Sequence, residues 1–119
     1  MNGPRITIRL DFPGGRQLGH GKIRLLELIE KLGSISSAAR EMKMSYRRAW
    51  LLMDEVNSMF REPVIETQLG GKGGGHAKLT EFGRKIVTLY RGVEKSSDER
   101  FASDLRELSG MLTPPNAGG

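Results

Sequence analysis

Apolar residues recur at two spacings along this chain, and the change of spacing divides it into elements. Residues 5–10, Arg-Ile-Thr-Ile-Arg-Leu, alternate polar and apolar, which predicts a half-buried strand with Ile6, Ile8 and Leu10 inward. Asp11-Phe12-Pro13-Gly14-Gly15 is a turn signal, and Arg16-Gln17-Leu18 returns as a short strand before Gly19-His20-Gly21. From residue 22 the period becomes helical. Ile23, Leu25, Leu26, Ile29 and Leu32 form one apolar stripe over 22–32, and Gly33 stands where helices commonly stop. Ser34 or Ser36 can cap a second helix over 36–42, whose small Ala38 and Ala39 permit a close crossing. A third helix is predicted over 46–60. Tyr46, Ala49, Trp50, Met53, Val56, Asn57 and Phe60 lie at spacings of three and four, so Trp50 is expected in the core, with base stacking as the alternative.

Two further strands are predicted at 63–68 and 77–80. They flank Leu69-Gly70-Gly71-Lys72-Gly73-Gly74-Gly75-His76, the form that the tip of a hairpin "wing" would take. Thr80 caps a fourth helix with Glu81 well placed in its first turn. Phe82, Ile86, Leu89, Tyr90 and Val93 supply its apolar side, and Phe101, Leu105 and Leu108 prolong the stripe. Ser96-Ser97-Asp98-Glu99 fits a capping box, so a kink or restart is expected there. A stripe of this length needs a surface to cover, and a second copy of the chain is the expected one. Residues 1–109 read as one domain. Residues 110–119 read as a Pro/Gly-rich disordered tail.

Composition narrows the chemistry. The 119 residues carry a formal net charge of +5, which suits an acidic partner but does not choose between nucleic acid and another anionic surface. There is no cysteine, hence no disulfide or thiol–zinc site. No signal peptide or long apolar run is evident, so a cytoplasmic protein without membrane contact is expected. The glycine run is not a P-loop, because Lys72 is followed by Gly73 and no hydroxyl comes after the lysine. His20 and His76 lie in different turns with no metal-ligand spacing. No grouping of nucleophile, base and acid stands out, so neither an enzyme nor a cofactor is expected.

What stands out is the segment from Gly33 to Trp50. Two short helices joined by a tight turn have the layout of a helix-turn-helix, whose second helix enters the DNA major groove. Ser45 is a good N-cap, but Arg48 occupies the position where a capping box wants Glu or Gln, and Arg47 stands beside it. Cations at the positive end of a helix dipole cost roughly a few tenths of a kcal/mol or more. A facing polyanion would remove that cost; two arginines pointing only to water is the plain alternative. Ser36, Arg40, Lys43, Ser45, Tyr46, Arg47 and Arg48 are the candidate DNA contacts, joined by Lys72 and Gly73 at the hairpin tip. The arginines are assigned to guanine edges, and Arg40, Lys43 and Lys72 to the backbone or minor groove.

Four pieces in order carry a resemblance. Gly33-Ser34-Ile35-Ser36, Ser45-Tyr46-Arg47-Arg48-Ala49-Trp50, Gly70-Gly71-Lys72-Gly73-Gly74-Gly75 and Leu79-Thr80-Glu81-Phe82-Gly83 together resemble the N-terminal domain of the molybdate-responsive ModE family. The first helix-turn-helix portion is also similar to LysR-type regulators. The resemblance covers roughly residues 5–90. It implies a mainly α winged helix-turn-helix with small β-hairpins, dimeric through its N-terminal strand and long C-terminal helix. Family members carry a molybdate-binding module after that helix, so this chain is expected not to sense molybdate alone. The function expected is a dimeric, sequence-specific transcriptional regulator of double-stranded DNA. The alternative is a winged-helix protein–protein module, or a LysR-like fragment, acting with a separate oxyanion-sensing protein.

Overall fold

A computed structural model describes residues 3–68 and 76–114. The chain runs β1 (Arg9–Phe12), β2 (Arg16–Gly19), α1 (His20–Leu32), α2 (Ile35–Glu41), α3 (Tyr46–Met59), β3 (Ile65–Gln68), β4 (His76–Leu79), α4 (Glu81–Arg100) and α5 (Ala102–Gly110). It is a mainly α winged helix-turn-helix with two small antiparallel hairpins, β1–β2 and β3–β4. No helix among the described residues is long and apolar enough to cross a membrane.

The core lies where α1, α2, α3 and the second hairpin meet. Ile23, Leu25, Leu26 and Ile29 of α1 are fully buried, together with Ala38, Ala49, Val56 and Val64. Ala38 and Ala39 let α2 cross closely between α1 and α3, since neither offers more than a methyl group. Gly33 ends α1 at φ 82°, a left-handed conformation that glycine adopts without a Cβ penalty. Its carbonyl then accepts a hydrogen bond from Ala77 N at 2.9 Å. Glu30 adds a second tie from α1 to β4, its Oε1 accepting from Leu79 N at 3.1 Å. The hairpin stem is therefore fixed to the corner that opens the helix-turn-helix. The other strand of that stem is held at its start by Asn57, whose Oδ1 accepts from Val64 N at 2.8 Å.

Several expectations change in detail. The alternation at 5–10 holds, with Ile6, Ile8 and Leu10 half-buried and Arg5, Thr7 and Arg9 exposed, but the ladder itself covers Arg9–Phe12. Residues 6–8 lie along α4 instead. Ile6 N donates to Asp98 Oδ1 at 2.7 Å, and the Tyr90 hydroxyl donates to Ile8 O at 2.6 Å. The fourth helix runs unbroken through Ser96–Glu99 and ends at Phe101, after which α5 begins. Leu89, Val93, Phe101 and Leu108, expected on a covered stripe, are 60%, 49%, 44% and 60% exposed within one chain. Gly110, expected to open the tail, is the last residue of α5. Residues 111–114 form neither helix nor strand, and the rest of that expectation, residues 115–119, lies outside the described residues.

Three ion pairs tie α4 to α1 and to itself. Arg91 donates to both oxygens of Glu27, at 2.9 and 2.8 Å, and to Glu94 at 2.6 Å. Arg84 pairs with Glu30. The Arg91 hydrogen bonds hold the Glu27 carboxyl below its ordinary range, against the opposing effect of burial. Glu30 is lowered in the same sense, chiefly by its hydrogen bond from Arg84.

Candidate nucleic-acid interface

The turn between α2 and α3 is built by the last carbonyls of α2. Lys43 N donates to Arg40 O at 3.1 Å and Met44 N to Ala39 O at 3.0 Å, the paired bonds of a Schellman ending. The left-handed residue in such an ending is usually glycine. Here it is Lys43, at φ 58°, where an L side chain costs roughly 1–2 kcal/mol. The backbone then turns into α3 through Ser45, whose Oγ accepts from Arg48 N at 3.1 Å. That cap satisfies one of the free donors of the helix start and fixes the pitch at which the next residues leave it.

Ser45, Tyr46, Arg47 and Arg48 are all exposed, as are Ser36, Arg40 and Lys43. They come from the start and the last turn of α2, the loop after it and the start of α3, and none of the basic ones forms an ion pair among the described residues. No acidic residue stands in the first turn of α3. Asp54 and Glu55, also exposed, lie two turns further on. The positive end of the helix dipole and two guanidinium groups thus share one solvent-facing turn, a combination that favours an anion. Lys72 and Gly73 lie outside the described residues. The strands that lead to them end in the pair Gln68 and His76.

Trp50 corrects its expected place. It is 40% exposed, and Tyr46, on the same stripe, is 52% exposed. The stripe is buried only from Ala49 through Met53 and Val56. The reason is geometric: on that side Tyr46 and Trp50 border an open cleft and not a close-packed helix. Trp50 Nε1 instead donates to the Tyr46 hydroxyl at 2.7 Å. Both rings border a small cleft of about 60 Å³ whose other walls are Ile35 and Ser36 of α2 and Thr67, Gln68, His76 and Ala77 of the hairpin stem. Sequence reasoning placed Trp50 in the core with base stacking as the alternative, and missed Thr67, Gln68 and His76 as neighbours of the site. The spacing of four between Tyr46 and Trp50 was the available signal, since it puts them on one face. His20 opens α1 far from this cleft in sequence, and no group of three metal-ligating side chains occurs among the described residues.

No protein-family model matches the chain. It is 40% identical over 104 residues to the molybdenum transport protein ModE of Azotobacter vinelandii, covering 85% of this chain and 38% of that protein. It is 41% identical over 69 residues to the DNA-binding transcriptional dual regulator ModE of Escherichia coli K12, covering 58% of this chain and 26% of that protein. The molybdenum-pterin-binding protein MopA of Rhodobacter capsulatus is 39% identical over 88 residues, 74% of this chain and 33% of that protein. Over the shared region this chain belongs to the ModE family. It spans little more than a third of the length of these relatives at most. Membership explains why the four motif pieces occur together. Two of them are accounted for by geometry as well: Gly33 turns α1 into α2, and Thr80 caps α4 with its Oγ1 accepting from Gly83 N at 2.9 Å.

Proposed function

We propose that this chain binds double-stranded DNA sequence-specifically, as the DNA-binding and dimerisation part of a cytoplasmic transcriptional regulator. The observation that carries the reading is the first turn of α3, where Tyr46, Arg47 and Arg48 are exposed, without acidic partners among the described residues, at the positive end of a helix dipole. In a winged helix-turn-helix this is the end that enters the major groove. Arg47 and Arg48 suit bidentate contact with guanine, at about 1–3 kcal/mol of discrimination each. Arg40 and Lys43 suit phosphates flanking the groove. Family membership supports the same reading, since one relative is named as a DNA-binding transcriptional regulator. Leu89, Val93, Phe101 and Leu108 leave apolar surface open on α4 and α5, which supports a two-fold dimer on paired half-sites. No observation supports catalysis.

Titration of the chain against a random DNA pool, with bound fragments recovered, tests this. A palindromic consensus is expected, with affinity falling steeply between two salt concentrations. Arg47→Ala and Arg48→Ala should each relax the consensus at one position per half-site. Variants that select the wild-type consensus with unchanged stringency would remove α3 from the groove. Molybdate added to the same titration locates the control that the names of two relatives suggest: unchanged affinity assigns the sensor to a separate partner or another segment.

A further inference from the structure

We propose that Trp50 is a positioning residue for DNA reading, which fixes the Tyr46 hydroxyl as a hydrogen-bond donor to an acceptor atom on DNA. The inference rests on the DNA-binding reading above and adds to it a residue and a direction of bonding.

An indole N–H can only donate. In the 2.7 Å contact between Trp50 Nε1 and the Tyr46 hydroxyl, the phenolic oxygen is therefore the acceptor. Its own proton remains, and it is donated to no acceptor among the described residues. The Tyr46 hydroxyl is thus an available donor. The matching groups on DNA are guanine N7 and O6, adenine N7, thymine O4 and phosphate oxygens. The bond also restrains the phenol. Both residues stand on the exposed side of α3, one turn apart, at 52% and 40% exposure. A free tyrosine there would sample several rotamers and lose that freedom on binding. Tied to the next turn, it meets its partner already placed. The tie is local, so a variant that removes it leaves the buried part of the stripe, Ala49, Met53 and Val56, untouched.

The test is a double-mutant cycle on the full chain with Tyr46→Phe, Trp50→Phe and both together, measured on the recovered consensus duplex and on an unrelated duplex at two salt concentrations. Each single variant is expected to weaken consensus binding roughly fivefold, the size of one neutral hydrogen bond. The double variant is expected to be no weaker than Tyr46→Phe alone, because Trp50 acts only through that hydroxyl. The salt slope should not move, since no charge is removed. A loss confined to the consensus assigns the acceptor to a base edge; an equal loss on both duplexes assigns it to a phosphate. Trp50 is the single tryptophan of the chain, so its emission reports the bond directly. Tyr46→Phe should shift that emission in the free protein.

The inference is overturned if the double variant loses the product of the two single effects, about 25-fold, or if Tyr46→Phe binds as wild type. An emission unchanged in Tyr46→Phe overturns it as well. Wild type that binds DNA alongside an unaffected Tyr46→Phe sinks this inference alone. Wild type without salt-steep DNA binding sinks the DNA reading and this inference together. Should Trp50→Phe melt early, Tyr46→Phe, which removes one exposed oxygen, and the emission readout decide the matter.

Discussion

Gly83→Ala should destabilise the fold by about 2 kcal/mol, although alanine is the better helix former. Gly83 is the third residue of α4 and is buried. A Cβ built there would stand 2.2 Å from the Val64 carbonyl oxygen and 3.1 Å from Val64 Cγ1, and the first distance is far inside van der Waals contact. Val64 cannot simply turn away. It is fully buried, its carbonyl accepts from Thr80 N at 2.9 Å, and its amide is held by Asn57. Alanine gains about 1 kcal/mol of intrinsic helix preference. Against that stand overpacking of about 1–3 kcal/mol and a weakened backbone hydrogen bond of about 1 kcal/mol. The balance is a loss. Urea unfolding followed by circular dichroism measures it as a lower midpoint at unchanged slope. Gly21→Ala is the matched control, since a Cβ at Gly21 meets nothing within 4 Å, and it should be neutral or slightly stabilising. Gly83→Ala as stable as wild type would refute the reasoning, because no steric reason would then remain for glycine at this place in Leu79-Thr80-Glu81-Phe82-Gly83.

Lys43→Gly relieves the left-handed cost at φ 58° while adding unfolded-state freedom, so stability should stay level or rise by up to about 1 kcal/mol. DNA affinity should fall in the same variant, with the salt slope reduced by about one; unfolding and gel-shift titrations of one preparation read both. Lys72→Ala should weaken all duplexes alike and lower the salt slope by about one; loss on the consensus duplex alone would remove Lys72 from the backbone. Glu27→Gln should cost about 1–2 kcal/mol at neutral pH, through the Arg91 hydrogen bonds. The Glu27 carboxyl is held below its ordinary 4.5, so its contribution is complete above that value and is lost as pH falls through the lowered one. The stability gap between wild type and Glu27→Gln should accordingly narrow as the pH falls below 4.5 and through the lowered value; a gap that does not narrow in acid would place the effect elsewhere.

The helices were legible because their signals are local. Ile23, Leu25, Leu26 and Ile29 read as one buried face from spacing alone, though Leu32 at the end of the predicted stripe is 41% exposed, and Gly33, Ser45 and Thr80 mark the element ends where the structure puts them. What was not legible depends on where a face meets a neighbour. Trp50 and Val56 lie on the same stripe, yet only Val56 has helices packed on its side. Leu89 and Val93 read as covered because the pattern records apolarity, and a single chain supplies nothing to cover them. The capping-box pattern at Ser96–Glu99 starts no helix because α4 already runs through it to Arg100. Strain at Lys43 was equally hidden, since a lysine carries no signal for positive φ.

The cost of the candidate interface is concentrated. Lys43 holds a conformation suited to glycine, Arg47 and Arg48 oppose the helix dipole, and two aromatic rings stay half in water. Each feature is unfavourable for a folded chain standing alone. The other open apolar surface, with Leu89 and Val93 on α4 and Leu108 on α5, is the one proposed for the dimer; elsewhere α1 and α4 are joined by paired ions, and among the described residues only Glu94 Oε2 is a buried side-chain polar atom without a partner. Chance would scatter such violations over the molecule. Their gathering on the α2–α3 turn and the first two turns of α3 is what a site maintained for binding requires, because a partner repays the cost only where it makes contact. On the proposed reading, a polyanion would repay the two that involve cations, and an acceptor on it would give the Tyr46 hydroxyl its second partner.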